Sequence, residues 1–287
     1  MFHGRFINRE KELNKILQPD EFLISVYGES GIGKTRLLKE AAQRFKSCAP
    51  NALIIWVNVG RTHLSLDSQR EVLHTLVNGS DGRLDIGRKI KKKDVMEIVW
   101  KIKDVAERES FILIFDNTEA FQENGEFWHW LEVKFIGPLL ESSAKVKYLF
   151  AGRIPQPWRR FEVRQALSCL QLRPLDLGSA SDALIIDVLA KHGQNLEADE
   201  QQAAVRLVND LAFGHPRLSE EIAAYVAPRW PPSDPETFGV EICQKVVKPF
   251  IQDVFFADVE PPWDDWLWSI SVLDWFDTTI LPAYLKR

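Results

Sequence analysis

Five short runs of Ile, Val, Leu and Phe recur at residues 22–27, 52–59, 111–115, 146–151 and 166–172. They lack the strict alternation of a sheet with one wet face, which predicts strands of a parallel sheet covered on both sides. Between them lie segments of helical period at 34–46, 67–77 and 94–107, the last placing Val95, Ile98, Val99, Ile102, Val105 and Ala106 on one side. The alternation of strand and helix predicts an α/β fold, a three-layer αβα sandwich around a parallel sheet. After Leu177 the pattern becomes purely helical, at 179–191, 196–212 and 216–227, with Ser179 or Ser181 as a first cap and Gly193 and Gly214 as breaks. Further on, Cys243, Val247, Phe250 and Val254 fall at helical spacing, as do Trp263, Trp266, Ile270 and Leu273.

Composition sharpens this division. The 287 residues are 45% hydrophobic, enough for a sizeable core without metal or disulfide support. The net charge of −5 argues against a generally basic nucleic-acid binder and against a polybasic membrane-surface protein. That charge is not evenly spread: residues 1–227 carry 31 basic and 31 acidic side chains, whereas 228–287 carry 5 and 10. The same last segment opens with the Pro-rich APRWPPSDP and holds five of the ten tryptophans, which places a boundary near 228. Cys48, Cys169 and Cys243 have neither zinc-site nor disulfide spacing and are expected to be buried small hydrophobes. The first ten residues lack the apolar stretch of a signal peptide and no run approaches a membrane span, so a cytoplasmic protein is expected.

The sharpest chemical signal is Gly28-Glu29-Ser30-Gly31-Ile32-Gly33-Lys34-Thr35, directly after one predicted strand and before one predicted helix. In G-x-x-x-x-G-K-[ST] the glycines let successive backbone N–H groups turn inward around a phosphate at a helix N-terminus. Lys34 is expected on the β- and γ-phosphates and the Thr35 hydroxyl on Mg²⁺. An acid is then required at the tip of a neighbouring strand, and FILIFDNTE supplies Asp116 as a second Mg²⁺ ligand. Glu119, or less readily Asn117, could orient the attacking water. The strand VKYLFA ends in Gly152-Arg153, where an Arg can reach a γ-phosphate at the carboxyl edge of the sheet. Gly214-His215-Pro216 opens a helix and by itself reads as an ordinary start.

Together these pieces resemble the STAND class of P-loop ATPases, relatives of AAA+ proteins that include NACHT and NB-ARC modules. The segment Phe6-Ile7-Asn8-Arg9-Glu10-Lys11-Glu12-Leu13 is similar to the class's adenine-contacting F-[VI]-G-R-E-x-E-L, with Asn8 where Gly is usual. Leu113-Ile114-Phe115-Asp116-Asn117-Thr118-Glu119 resembles its Walker B motif and Gly152-Arg153 its arginine sensor. Leu172-Arg173-Pro174-Leu175-Asp176 resembles the approach to its lid, and Gly214-His215-Pro216 the G-x-P motif whose Pro packs on the base. The resemblance implies a nucleotide-binding domain at 1–177, a helical lid at 178–227, and a segment at 228–287 leading into a truncated winged helix that begins near 272. It implies ATP or ADP with Mg²⁺ as cofactors, held by Arg9, Gly28, Glu29, Ser30, Gly31, Ile32, Gly33, Lys34, Thr35, Arg36 and Pro216. Lys34, Asp116, Glu119 and Arg153 are the implied catalytic set, with Thr35 and Asp116 on the metal.

The implied function is an ATP-hydrolysing signalling switch with an ADP-bound resting state that oligomerises in its ATP state. Its partners would be C-terminal sensor or effector domains, either absent because the chain is a piece of a longer protein or present as separate proteins. Two other readings stay open. One is a nucleotide-stabilised scaffold with negligible hydrolysis, because Asn117 stands where many related ATPases carry Glu. The other is a DNA-associated ATPase, supported only by the basic run 88–93 and by Pro157-Trp158-Arg159-Arg160, both expected to be solvated surface. Trp263, Trp266 and Trp268 are expected to pack partly on the lid and partly at a partner-facing surface.

Overall fold

All five apolar runs form strands in the computed structural model, which describes residues 9–58, 68–121, 124–142, 145–192 and 196–255. The order is α1 (Glu10–Leu17), β1 (Leu23–Tyr27), α2 (Lys34–Cys48), β2 (Leu53–Asn58), α3 (Ser68–Asn78), α4 (Val95–Arg108) and β3 (Phe111–Asp116). There follow α5 (Gly125–Trp130) and α6 (Gly137–Leu140), joined by a π-helical turn at Leu131–Ile136, then β4 (Val146–Gly152), α7 (Phe161–Ala166) and β5 (Leu167–Gln171). The helical part comprises α8 (Ser179–His192), α9 (Ala198–Ala212), α10 (Pro216–Val226), α11 (Pro235–Ile242) and α12 (Lys248–Phe255).

The sheet is parallel throughout, in the order β2-β3-β4-β1-β5. Because side chains alternate across a strand, each strand feeds two cores. Phe111, Leu113, Phe115, Tyr148 and Phe150 face α3, α4 and the α5–α6 segment, whereas Ile112, Ile114, Leu149 and Ala151 face α1 and α2. Each fully buried side chain of this size contributes about 1.5–3 kcal/mol. The first core is rich in aromatics: Phe115 stacks on Phe150 at 4.7 Å, and Trp158 meets Trp128 and Phe150 edge-on, both at 5.3 Å. The αβα sandwich is therefore the observed fold.

Several expectations change. Asp116 does not stand on the strand next to the loop-bearing β1, because β4 lies between β1 and β3. The fifth run is an edge strand with partly exposed side chains, preceded by the short α7 that takes up Ala166. Cys48 and Cys169 are exposed, not buried, since one ends α2 and the other lies on that edge. Trp158 is not solvated surface: it is 6% exposed, held by the two rings just named. Ser181 is no cap. It lies inside α8, where its hydroxyl bonds the Asn209 side chain of α9.

Helices α8–α10 share one apolar core that also takes in Phe238, Ile242, Phe250 and Val254, so α11 and α12 pack against them beyond residue 228. Phe6, Ile7 and Asn8, the tryptophans at 263, 266 and 268, and the winged-helix-like stretch from 272 lie outside the described residues. No helix among the described residues is long and apolar enough to cross a membrane.

Candidate functional site

The register of the sheet assembles the site. Tyr27 pairs with Gly152, so the chain leaves β1 at Gly28 beside the point where it leaves β4 at Arg153. Asn58 pairs with Asp116 at the ends of β2 and β3. Four strand ends thus deliver Gly28, Asn58, Asp116 and Arg153 to one edge, the edge at which α/β sheets bind ligands.

Gly28, Gly31 and Gly33 all adopt positive φ (149°, 79° and 102°), the condition for a loop that folds back on itself before α2. Ile32 anchors the loop, 1% exposed in the α1–α2 core. Lys34 Nζ donates to the carbonyls of Gly28 and Glu29, both at 2.8 Å. Thr35 Oγ1 lies 2.9 and 3.1 Å from the two carboxylate oxygens of Asp116, its single proton shared between them, a contact spanning 81 residues of sequence. The Asn117 N–H donates to the same carboxylate at 3.1 Å. Burial pushes the Asp116 carboxyl up, the Thr35 and Asn117 hydrogen bonds oppose this, and neighbouring Glu119 adds to it. Burial likewise lowers Lys34, against the attraction of Glu119 and Asp116, while Arg153 pushes in the same direction as burial. Lys34, Thr35, Asp116, Glu119 and Arg153 are therefore electrostatic neighbours. Glu119 Oε2 is buried and has no hydrogen-bond partner among the described residues.

On the other side of the loop, Arg9 at the start of α1 donates through Nη2 to the carbonyls of Ile32 (3.4 Å) and Arg173 (2.5 Å) and pairs with Glu12 at 3.0 Å. A narrow cavity of about 40 Å³ is lined by Arg9, Ile32, Gly33, Arg36, Leu175, Leu184 and Pro216, which brings the start of α1, the loop, α8 and α10 to one place. Arg36 also forms an ion pair with Glu220 of α10 at 3.3 Å. A second cavity, of about 380 Å³, opens between Gly28, Glu29, Ser30 and Arg153, with Val254 of α12 on its wall.

Two site residues carried no signal of their own in the sequence. Asn58 accepts from the Asn117 side-chain amide at 3.1 Å, steadying a residue whose φ is 60°. His215 lies 3.0 Å from the Ser30 carbonyl through Nε2, and its ring meets Phe250 of α12 edge-on at 5.2 Å. A Cβ on Gly31 would stand 3.0 Å from both His215 Cε1 and Arg217 Cβ, so the loop and the start of α10 touch directly there. The resemblance already drew Pro216 of Gly214-His215-Pro216 toward the nucleotide, and the folded chain adds that His215 itself meets the loop.

This sheet order, phosphate loop and acid define a P-loop ATPase of the STAND class. More narrowly, the chain belongs to the NB-ARC domain family, whose model matches residues 8–151. It is similar to the disease resistance protein RPS5 of Arabidopsis thaliana, 24% identical over 172 residues, which are 58% of this chain and 18% of that protein. It is also similar to the disease resistance protein RFL1 of the same plant, 24% identical over 180 residues, 61% of this chain and 18% of that one. The chain thus spans less than a fifth of the length of these curated relatives. Among solved structures it is similar to a Walker-type ATPase of Pyrococcus abyssi, with a TM-score of 0.57 and 13% identity over 98% of this chain and 88% of that one. The Drosophila ORC bound to DNA gives a TM-score of 0.57 at 15% identity, covering 85% of this chain and 66% of that one. At these identities the likeness is one of fold.

Proposed function

We propose that this chain is the ATP-binding and ATP-hydrolysing module of a signalling switch. The observation that carries the reading is the Thr35–Asp116 contact at 2.9 and 3.1 Å, beside a Lys34 ammonium held among loop carbonyls. A hydroxyl and a carboxylate meeting at a glycine-rich helix start form a hard-oxygen donor pair suited to Mg²⁺, and the turned loop suits a phosphate. The buried, unpartnered Oε2 of Glu119 fits the same site, because an orphan carboxylate oxygen needs a donor such as a water.

In this reading Thr35 and Asp116 hold Mg²⁺, Lys34 and Arg153 neutralise the β- and γ-phosphates, and Glu119 orients water. Gly28, Glu29, Ser30, Gly31, Ile32 and Gly33 supply the cradle. Arg9, Arg36 and Pro216, which come together around one narrow cavity beside the loop, would flank the base and ribose. Bound Mg²⁺ supplies charge neutralisation on the phosphates, and the protein's own part is positioning. Loss of the γ-phosphate removes a partner of Lys34 and Arg153 and frees the lid to reorient. ADP would mark the resting state and ATP the oligomerising one. The named relatives are resistance proteins, which supports a signalling or defence role for the longer proteins that carry such a module.

Asn117 favours a second reading, a nucleotide-stabilised scaffold that scarcely hydrolyses. Its side chain is engaged with Asn58 and supplies no base. Single-turnover hydrolysis of wild type against Glu119→Gln separates the two. A rate that falls with Glu119→Gln supports the switch, and equal negligible rates support the scaffold.

A further inference from the structure

We infer that Thr118 and Gln156 form a positioning pair that makes Glu119 and Arg153 move as one unit during ATP hydrolysis, an inference that rests on the ATPase reading above. Thr118 lies between Asp116 and Glu119 and is 3% exposed; Gln156 follows Arg153 by three residues and is 6% exposed. Thr118 Oγ1 lies 3.0 Å from the Ala151 carbonyl and 3.0 Å from Gln156 Nε2. The carbonyl can only accept, so the single hydroxyl proton goes to Ala151. The amide must then present its N–H to the hydroxyl oxygen. One buried hydroxyl therefore joins the turn after β3 to the last residues of β4 and to the loop beyond Arg153.

The backbone is shaped to the same contact. Gly152, immediately before Arg153, lies against this hydroxyl so closely that a Cβ there would collide with Thr118 Oγ1. The arrangement also fixes the amide so that Gln156 Oε1 is buried without a hydrogen-bond partner among the described residues. Native interiors rarely keep such an orphan acceptor, and a valine with a leucine would fill the same volume with no polar group to satisfy. The polar pair is thus hard to explain as packing. What it does accomplish is geometric: a shift of Arg153 toward a γ-phosphate is transmitted through Gln156, Thr118 and Ala151 to the turn that carries Glu119. Neither residue touches the reacting atoms. Their effect falls on the chemical step, where alignment within a fraction of an ångström matters, rather than on nucleotide affinity, which the loop and base pocket set.

The test is single-turnover ATP hydrolysis with separately measured ATP affinity for wild type, Thr118→Val, Thr118→Ser and Gln156→Leu, with Lys34→Ala as the background. Thr118→Val keeps the shape and removes the hydroxyl, and Thr118→Ser keeps the hydroxyl. Expected is a loss of about tenfold or more in rate for Thr118→Val and Gln156→Leu, affinity within about twofold, and Thr118→Ser within about threefold of wild type. Should Thr118→Val not fold, Gln156→Leu, which leaves the Thr118–Ala151 bond in place, carries the same comparison. Wild-type rates in Thr118→Val and Gln156→Leu overturn the pair while leaving the ATPase reading intact. So does an equal loss for Val and Ser, or a loss confined to affinity. A wild type no faster than Lys34→Ala overturns the ATPase reading itself, and the pair with it.

Discussion

The imidazole of His215 bridges α10 to the glycine-rich loop, with Nε2 3.0 Å from the carbonyl oxygen of Ser30. Its Nδ1 accepts the Leu218 N–H at 3.3 Å as the N-terminal cap of α10, so in the neutral ring the proton must sit on Nε2 and be donated to Ser30. Burial lowers this histidine below its ordinary 6.5, opposed by the Ser30 bond and by Glu29 and reinforced by Arg217. Phe250 of α12 packs on the ring and under the Arg217 guanidinium, which lies 5.4 Å away. The loop, α10 and α12 therefore meet at one side chain.

His215→Phe removes the Ser30 bond and the cap while keeping an aromatic against Phe250. At about 1 kcal/mol for a net hydrogen bond, ADP affinity should fall roughly fivefold, read by titration calorimetry. The pH dependence has a definite sign. A base whose folded pKa is depressed gives stability that is complete above about 6.5 and declines as pH falls through that value toward the folded pKa. Urea midpoints at pH 5.5 and 7.5 should differ more for wild type than for His215→Phe. An equal difference would remove His215 from the account.

Asp116 has the opposite linkage. Its carboxyl is raised by burial, so ionised Asp116 opposes folding at neutral pH, and its contribution is favourable only below the usual 3.8 and is lost as pH rises through the folded value. Asp116→Asn should therefore melt no earlier than wild type without nucleotide, yet lose the thermal shift that Mg²⁺ with ATP confers. A thermal scan with and without the ligand reads both halves.

Arg153 is exposed at the end of β4 and acts on Lys34 electrostatically. If it reads the third phosphate, Arg153→Ala should lower ATP hydrolysis by about tenfold to a hundredfold and leave ADP affinity within about twofold. An equal loss of ADP affinity would assign Arg153 to general phosphate binding instead.

Trp158 is held by Trp128 and Phe150 beneath the site. Trp158→Ala should cost about 3–5 kcal/mol in chemical denaturation, the range for removing a large aromatic from a packed core. A cost under about 1 kcal/mol would mean that this ring cluster collapses freely and does not support the loop after β4.

The strands and most helices were legible because a sheet buried on both faces leaves continuous apolar runs, and the phosphate loop was legible because its chemistry is local in sequence. Three features were not. The segment Gly125–Leu140 packs Phe127, Trp128, Trp130, Phe135 and Ile136 through a π-helical turn, which shifts the apolar face and destroys the 3.6-residue period. The place of β4 between β1 and β3 depends on long-range pairing, so the acid could be assigned to a strand tip but not to the correct neighbour. His215, Asn58, Thr118 and Gln156 act through partners 33 to 185 residues away, distances at which a single sequence carries no pattern.

The most direct measurement is calorimetric titration of ADP and of ATP with Mg²⁺ into wild type and Lys34→Ala. The account predicts one saturable site in wild type and, from about 1.5–3 kcal/mol for hydrogen bonds to a charged group, a weakening of about tenfold or more in Lys34→Ala. Absence of binding in wild type, or equal affinity in the two proteins, would contradict it.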